Sequence, residues 1–182
     1  MALEFLGERY LQPVFGSSID VWAAVISVFI LSLGLGYAVG GWMADRPGCG
    51  VVLGWVILGA GACFILLPLY VSPLLRALGP EIHTMRWGPL LASVILFLPP
   101  SLLLGSVTPM LIRLTLADVS CVGRVTGTFY ALNSLGNVAG VLLSAYALLA
   151  WFTLDANMKV MGACLSALGL SHLFRPLSDS ST

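Results

Sequence analysis

Five apolar stretches of roughly membrane length alternate with short segments that hold most of the charged residues. The stretches cover residues 21–43, 51–71, 87–108, 125–151 and 158–174. A helix needs roughly 20 apolar residues to cross the hydrocarbon core of a bilayer. Each backbone amide in lipid needs an internal partner, and the alternating pattern of barrel strands is not visible, so the stretches predict helices. The expected fold is all-α, a polytopic transmembrane bundle with five spanning helices.

A shorter segment with a polar stripe precedes the first span. Its polar residues recur at every fourth position and therefore lie on one helical face: Glu4, Glu8 and Gln12. Pro13 and Gly16 are expected to break this helix. Residues 1–16 thus predict a short half-helix, packed into the bundle or lying at the interface, that resembles the remnant of a sixth spanning helix. Residues 1–176 form one transmembrane domain, followed by a polar tail over 177–182.

The composition makes lipid the expected solvent of the chain. Hydrophobic residues make up 59% and charged residues 9% of it, and the mean hydropathy is +1.01. A soluble domain carries about 25% charged residues. The net charge is zero, so the sequence predicts no nucleic-acid partner. Lys and Arg divide equally between the two sides of the predicted bundle, so the positive-inside rule gives no orientation.

The sequence predicts no metal site, no cofactor and no disulfide framework. None of the four cysteines belongs to a Cys-x-x-Cys pair: Cys49, Cys63, Cys121 and Cys164. No Ser, His and acid cluster accompanies the two histidines, so an intramembrane enzyme is the least supported interpretation.

Small residues at four-residue spacing mark expected helix contacts, since such pairs let helices approach closely in lipid. The pairs are Gly36/Gly40, Gly123/Gly127, Gly136/Gly140, Ser101/Gly105 and Gly162/Ser166. Tight packing is the first interpretation of each pair. Pro99 and Pro100 are expected to kink or break the third span and to leave backbone carbonyls that need partners. Broken membrane helices often line cavities, which keeps a substrate path open as an alternative.

The end of the first span carries the motif Gly41-x-x-x-Asp45-Arg46-x-Gly48. This motif resembles the loop that follows the second helix of major facilitator transporters. In that family the loop is cytoplasmic, and its Asp and Arg form charge pairs with neighbouring helix ends. The resemblance implies one half of a major facilitator transporter, with Cys49, Cys121 and the C-terminus in the cytoplasm. The basic residues usual after the second Gly are replaced here by Cys49 and Gly50.

A second resemblance covers nearly the whole chain and is to the membrane domain of fused, membrane-bound spermidine synthase-like proteins. The blocks that carry it, in order, are Glu4, Arg9, Pro13-x-Phe15-Gly16-Ser17-Ser18, Val21-Trp22, Gly36-Tyr37-x-x-Gly40-Gly41-x-x-Ala44-Asp45-Arg46, Leu98-Pro99-Pro100, Leu104-Gly105, Pro109, Gly123-Arg124-x-x-Gly127, Tyr130-Ala131-Leu132, Ser134-x-Gly136 and Gly140. Proteins of that family normally continue into a soluble, Rossmann-type aminopropyltransferase-like domain. No Gly-rich nucleotide loop between a strand and a helix is present in this sequence.

The resemblance implies a non-catalytic membrane subunit or anchor of an integral membrane complex, located in a bacterial inner membrane. Its expected partners are lipid, further membrane subunits or copies of itself, and a soluble aminopropyltransferase-like protein. The alternative is a half-size transporter of the major facilitator type that acts as an oligomer. The residues expected at a transport path or partner contact are Glu4, Glu8, Arg9, Gln12, Asp20, Trp22, Asn133 and Asn137.

Two further expectations concern contacts. The charges of Asp45 and Arg46 are expected to pair with those of the neighbouring loop, such as Arg113, Asp118 or Arg124. The glutamate face of the half-helix is expected to open to lipid or a groove, and so to lie at a subunit contact, because unpaired carboxylates at membrane depth are costly. The Gly-x-x-x-Gly faces are expected to offer further contacts that one bundle does not use up.

Overall fold

The computed structural model describes residues 2–77, 87–116 and 121–174, which are helical apart from short connections. Six helices are formed: α1 (Ala2–Phe15), α2 (Ile19–Ala44), α3 (Cys49–Ala77), α4 (Gly88–Thr115), α5 (Val122–Leu142) and α6 (Leu154–Phe174). Helix α5 continues through a π-helical segment, Leu143–Leu148, into a last turn, Leu149–Trp151. The prediction of an all-helical fold is confirmed for the described residues.

Within the described residues, four helices are long and apolar enough to cross a membrane: α2, α3, α4 and the continuous helix Val122–Trp151. The fifth predicted span forms α6, which has 21 residues but does not reach the same apolarity. Asp155, Asn157 and Lys159 in its first turns account for this, since polar and charged side chains are expensive in hydrocarbon. The helices are thus those of an integral membrane protein, and four of the five predicted spans form helices of membrane length and apolarity.

Successive long helices run in opposite directions, which gives the bundle two ends. The Asp20 end holds the starts of α2, α4 and α6, and the Asp45 end holds the turn between α2 and α3. Two hydrogen bonds mark these ends. The Tyr10 hydroxyl donates to Asp155 at the Asp20 end over 2.7 Å, and His172 Nε2 donates to the Gly50 carbonyl at the Asp45 end over 2.9 Å.

The core has a larger and a smaller part. The larger part lies in the half of the bundle toward the Asp20 end, where α1 is packed among α2, α3, α4 and α6 and buries Leu6 and Leu11 completely. Phe29 of α2 stacks on Phe97 of α4 there, with ring centroids 5.4 Å apart. The smaller part lies toward the Asp45 end around Leu53 and Met110. In lipid, close van der Waals packing of these side chains at both levels holds the helices together.

Proline residues do not interrupt the helices as expected. Pro13 lies inside α1 without ending it, whereas the helix ends at Phe15, directly before Gly16, as expected for that glycine; its φ of 75° is costly for other residues. Helix α4 continues through Pro99 and Pro100 to Thr115, beyond the predicted end of that span. Of the two predicted outcomes, a kink or a break, the break is therefore wrong.

A side chain from a neighbouring helix compensates one of the α4 prolines. Pro100 has no N–H to offer the carbonyl of Leu96 four residues earlier. The hydroxyl of Tyr70 on α3 lies 3.5 Å from that carbonyl oxygen, a long hydrogen bond. The expectation that the prolines leave carbonyls in need of partners is met at this position, and the partner comes from the same bundle.

Helix α5 lies at the side of the bundle and touches it mainly through its second half. A Cβ added at Gly140 would lie 3.4 Å from the Cβ of Ala2, and Ser144 in the π-helical segment is buried. Leu149 packs against the larger core. The first 21 residues of this helix, Val122–Leu142, contain no buried residue.

Candidate functional site

Helices α2 and α4 approach so closely that their backbones are in contact. A Cβ added at Gly36 would overlap the carbonyl oxygen of Leu102, and one added at Gly40 would lie 2.5 Å from the Cα of Ser106. Real Cβ atoms are not found at such distances from backbone, so these positions require glycine. The expectation that Gly36 and Gly40 mark tight packing is confirmed, but their face is occupied inside the bundle. The further expectation that this face is left over for a partner is wrong.

A second glycine contact joins α3 to α6. A Cβ added at Gly61 would lie 2.8 Å from the carbonyl oxygen of Gly162, and one added at Gly169 would lie 3.0 Å from that of Gly54. Of these four positions the sequence singled out only Gly162, paired with Ser166. Gly54 and Gly61, like Gly162 and Gly169, are seven residues apart, which is two helical turns on one face. This heptad spacing is the signal that could have located the contact.

The glycines of α5 have no such neighbours. A Cβ added at Gly123, Gly127 or Gly136 would meet no atom within 4 Å. Asn133 on this helix is exposed, and Asn137 is half-buried. Asn133, Gly136 and Asn137 lie within about 100° of one another around the helix, and we call these three residues the open face of α5. The open face contains two of the residues predicted at a partner contact.

The residues of the polar stripe of α1 differ in how far they are buried. Glu8 is 4% exposed, and its Oε1 has no hydrogen-bond partner among the described residues. Glu4 is half-buried, whereas Arg9 and Gln12 are exposed. Glu8 is therefore enclosed by its own chain, and the expectation that this face opens to lipid or a groove is wrong at that residue. Helix α1 fits between several other helices, a placement that residues 1–16 alone do not encode.

Four other side chains have buried polar atoms that find no hydrogen-bond partner among the described residues: Ser93, Ser101, Ser144 and Asn157. Asn157 leaves both its oxygen and its nitrogen unsatisfied. Such groups are costly in a low-dielectric interior. Sequence reasoning used only Ser101 among them, as a packing residue.

The Gly41–Gly48 motif forms the tight connection between α2 and α3. Gly48 has φ 79°, which favours glycine, while a Cβ added at Gly41 would meet nothing within 4 Å. Asp45 is the C-cap of α2 and is exposed. The guanidinium of Arg46 lies 3.5 Å from the ring centroid of Trp42, one turn earlier, and this is a cation–π contact.

The expected charge partners of the motif are not found. Among the residues that the structure describes, no ion pair joins Asp45 to Arg113 or Arg124, and Asp118 lies outside those residues. The guanidinium of Arg46 lies over the indole of Trp42 instead.

Two cavities lie at the Asp20 end. The first has a volume of about 400 Å³ and lies between the starts of α2 and α4, where Asp20, Ser27 and Trp87 line it. Trp22, the other predicted residue of this region, is 39% exposed. The second has a volume of about 350 Å³ and lies among α1, α3 and α6. Arg9 and Arg76 line this second cavity together with the hydrogen-bonded pair of Tyr10 and Asp155.

The Tyr10–Asp155 pair keeps its proton on the phenol. Burial is the largest cause that raises the pKa of Tyr10 above its ordinary value, followed by the hydrogen bond to Asp155 and the negative charge of that residue. Tyr10 therefore donates to the carboxylate and does not compete with it as an anion. The pair ties α1 to the first turn of α6.

The predicted site residues are not brought into one place. Asp20 and Trp22 lie at one end, Asp45 and Arg46 at the other, and Asn133 and Asn137 on the peripheral helix. Pro99 is exposed, Pro100 buried and Pro109 half-buried along α4. No group of three or more metal-ligating side chains occurs within residues 2–77, 87–116 and 121–174. Comparisons of the chain with protein-family models, with curated proteins and with solved structures each found no match.

Proposed function

We propose that this chain is a non-catalytic integral membrane subunit that works by contact with another protein, as its resemblance to the membrane domain of spermidine synthase-like proteins implies. The observation that carries the proposal is the open face of α5. A membrane-length helix presents small residues and two asparagines, yet only 6% of its most apolar 18-residue window is buried. The comparable share is 39–44% for α2, α3 and α4.

The chemistry of the open face favours a protein neighbour over lipid. An asparagine side chain in hydrocarbon leaves its donors and acceptors unsatisfied, and a hydrogen bond across a helix pair recovers roughly 0.6–2 kcal/mol. Glycines at four-residue spacing let a second backbone approach closely. Asn133 and Gly136 together thus suit a helix from another subunit.

The location follows from the same resemblance. We place the chain in a bacterial inner membrane with its C-terminus in the cytoplasm, because the Gly41–Gly48 motif resembles a cytoplasmic loop of major facilitator transporters. With this orientation the Asp45 end faces a soluble aminopropyltransferase-like partner. We also propose that α6 crosses the membrane as the fifth span. Its support is that α6 runs along α3 from Gly162 to Gly169.

The alternative is a half-size transporter of the major facilitator type that acts as an oligomer. The cavity beside Asp20 favours it, because a carboxylate at the mouth of a cavity of about 400 Å³ suits a cationic substrate. In this case the open face of α5 would join two copies of the chain.

Copurification from native membranes separates the two functions. We expect a tagged chain to retain a soluble protein of aminopropyltransferase-like fold. Recovery of only further copies of the chain, together with uptake of a cationic substrate by vesicles that contain it, would favour the transporter. A chain that is monomeric in nanodiscs and retains no other protein would contradict both.

A crosslinking pair tests the open face itself. A single cysteine is placed at Asn133 or, as the matched control, at Leu135, which is 67% exposed and lies on the opposite side of α5. Both variants are made in a background in which the four native cysteines are replaced by serine. We expect a crosslinked partner from position 133 and little from position 135. Equal crosslinking at the two positions would show that the open face is not a specific contact.

A further inference from the structure

The second cavity at the Asp20 end combines positive charge with apolar walls. Arg9 comes from α1 and Arg76 from the last turn of α3, and the remaining polar lining is Tyr10, Ser72 and Asp155. The other walls are apolar side chains from three helices: Pro13, Val14, Pro68, Val71, Leu75 and Leu154. A ligand that fits this cavity has an anionic group and an apolar part.

Among the lining residues that the structure describes, the charges of the two arginines are not balanced. Asp155 is the acidic residue of the lining, and its carboxylate accepts the hydrogen bond of Tyr10 over 2.7 Å. Two guanidinium groups against one carboxylate leave the lining with an excess of positive charge. The guanidinium of Arg9 lies 5.7 Å from the ring centroid of Phe5, a contact that holds the side chain without neutralising it.

The position of the cavity suits a group from the membrane surface. It lies where the long apolar helix α3 ends and α6 begins, which is where the headgroup region of a bilayer meets the ends of spanning helices. Arginine presents several N–H donors in a planar fork that matches phosphate oxygens. The volume of about 350 Å³ is that of a small-molecule site.

We propose that this cavity binds the phosphate of an anionic amphiphile, with Arg9 and Arg76 as its ligands. The apolar walls contact the part of the molecule next to the phosphate. The Tyr10–Asp155 pair closes the side toward α6 and keeps the carboxylate engaged. The phosphate belongs either to a lipid headgroup or to a small soluble molecule. The proposal requires only that the chain lies in a membrane, and it stands or falls independently of a partner at α5.

The test compares thermal unfolding of the purified chain in detergent with added phosphatidylglycerol, phosphatidylcholine or inorganic phosphate. We expect phosphatidylglycerol to raise the Tm and phosphatidylcholine to leave it unchanged. Inorganic phosphate that raises the Tm as much as phosphatidylglycerol would assign the site to a soluble phosphate compound. Equal shifts with the two lipids, or no shift with any of the three, would overturn the proposal.

The double variant Arg9→Gln/Arg76→Gln assigns the effect to the cavity. We expect it to need at least tenfold more phosphatidylglycerol for the same shift, while Arg9→Lys/Arg76→Lys keeps part of the response. The matched control is Arg113→Gln, which removes an exposed arginine from the last turn of α4 at the other end of the bundle and should respond as the wild type does. An unchanged response in the double variant would overturn the proposal. If that variant fails to fold, the lysine variant and the lipid comparison on the wild type decide it.

Discussion

Helices α2 and α5 carry the same Gly-x-x-x-Gly spacing in opposite surroundings. On α2, Gly36 and Gly40 lie against the backbone of α4, so closely that a methyl group does not fit. On α5, Gly136 faces no atom within 4 Å, and Gly140 meets only the side chain of Ala2. The first pair holds the bundle together, whereas the second leaves a surface available.

The difference lies in what the facing helix offers. Helix α4 presents Gly105 and Ser106 to the glycines of α2, so both backbones can approach. Within the described part of the chain no helix presents small residues to the first half of α5. The spacing therefore indicates a face suited to close approach, and the presence of a second small-residue face in the same chain decides whether that approach occurs within the bundle.

The substitution Gly40→Ala is expected to have the largest effect, because it places a methyl group in the backbone of α4. We expect a loss of about 1–3 kcal/mol or more in the free energy of unfolding, measured by unfolding in detergent. The control is the adjacent glycine. Gly41→Ala meets no atom within 4 Å and should be neutral, or stabilising by up to about 1 kcal/mol through helix propensity. Equal losses in both variants would contradict a specific contact at Gly40.

The pair Gly61→Ala and Gly136→Ala tests the comparison directly. The added methyl at position 61 lies 2.7 Å from the Ser166 nitrogen, and we expect a loss of about 1 kcal/mol in the free energy of unfolding. The methyl at position 136 meets nothing and should cost nothing in the isolated chain. The same change should weaken crosslinking from position 133 in native membrane. A stability loss at Gly136 in the isolated chain would show that α5 is packed more tightly than the structure indicates.

Tyr10→Phe removes the hydrogen bond between the Tyr10 hydroxyl and Asp155, which joins α1 to α6. We expect a loss of about 1 kcal/mol in the free energy of unfolding near neutral pH. Since the folded state raises the pKa of Tyr10 above its ordinary value of 10.0, this residue stabilises the fold fully below that pH and less as the pH rises beyond it. Unfolding curves of the two proteins should therefore converge above about pH 10. A difference that stays constant across this range would exclude the proposed titration.

The smallest effects on stability are expected at the turn between α2 and α3, away from the glycines of α2 and α5. Arg46→Ala should cost about 0.5–1 kcal/mol by loss of the contact with Trp42. Asp45→Ala should cost about 0–1 kcal/mol, because Asp45 is exposed. Melting temperatures in detergent measure both. A larger loss for Asp45→Ala than for Gly40→Ala would restore the charge-pair interpretation of this motif.

The positions of the helices and the tight contact at Gly36 and Gly40 were predictable from the sequence, because apolar length and small-residue spacing are local signals. The burial of Glu8 was not, since it depends on helices far away in the chain. The continuity of α4 through Pro100 also depends on a distant residue, Tyr70. The contact of Arg46 with Trp42 was within reach of the sequence, because the two are four residues apart at the end of α2.

The π-helical segment of α5 fixes how the two halves of that helix are turned relative to each other. In a regular α-helix each residue advances by about 100°, so residues five apart point in different directions. The wider turn over Leu143–Leu148 instead keeps Ser144 and Leu149, five residues apart, both on the bundle side. An extra residue of this kind sets a rotation between helix segments. Removal of one residue from this segment would rotate the two parts of the helix relative to each other by about 100°. Either Leu149 would lose its contact with the larger core, or Asn133 and Asn137 would face a different direction. The orientation of the open face thus depends on the number of residues in one turn, together with the contact of Gly140 with Ala2.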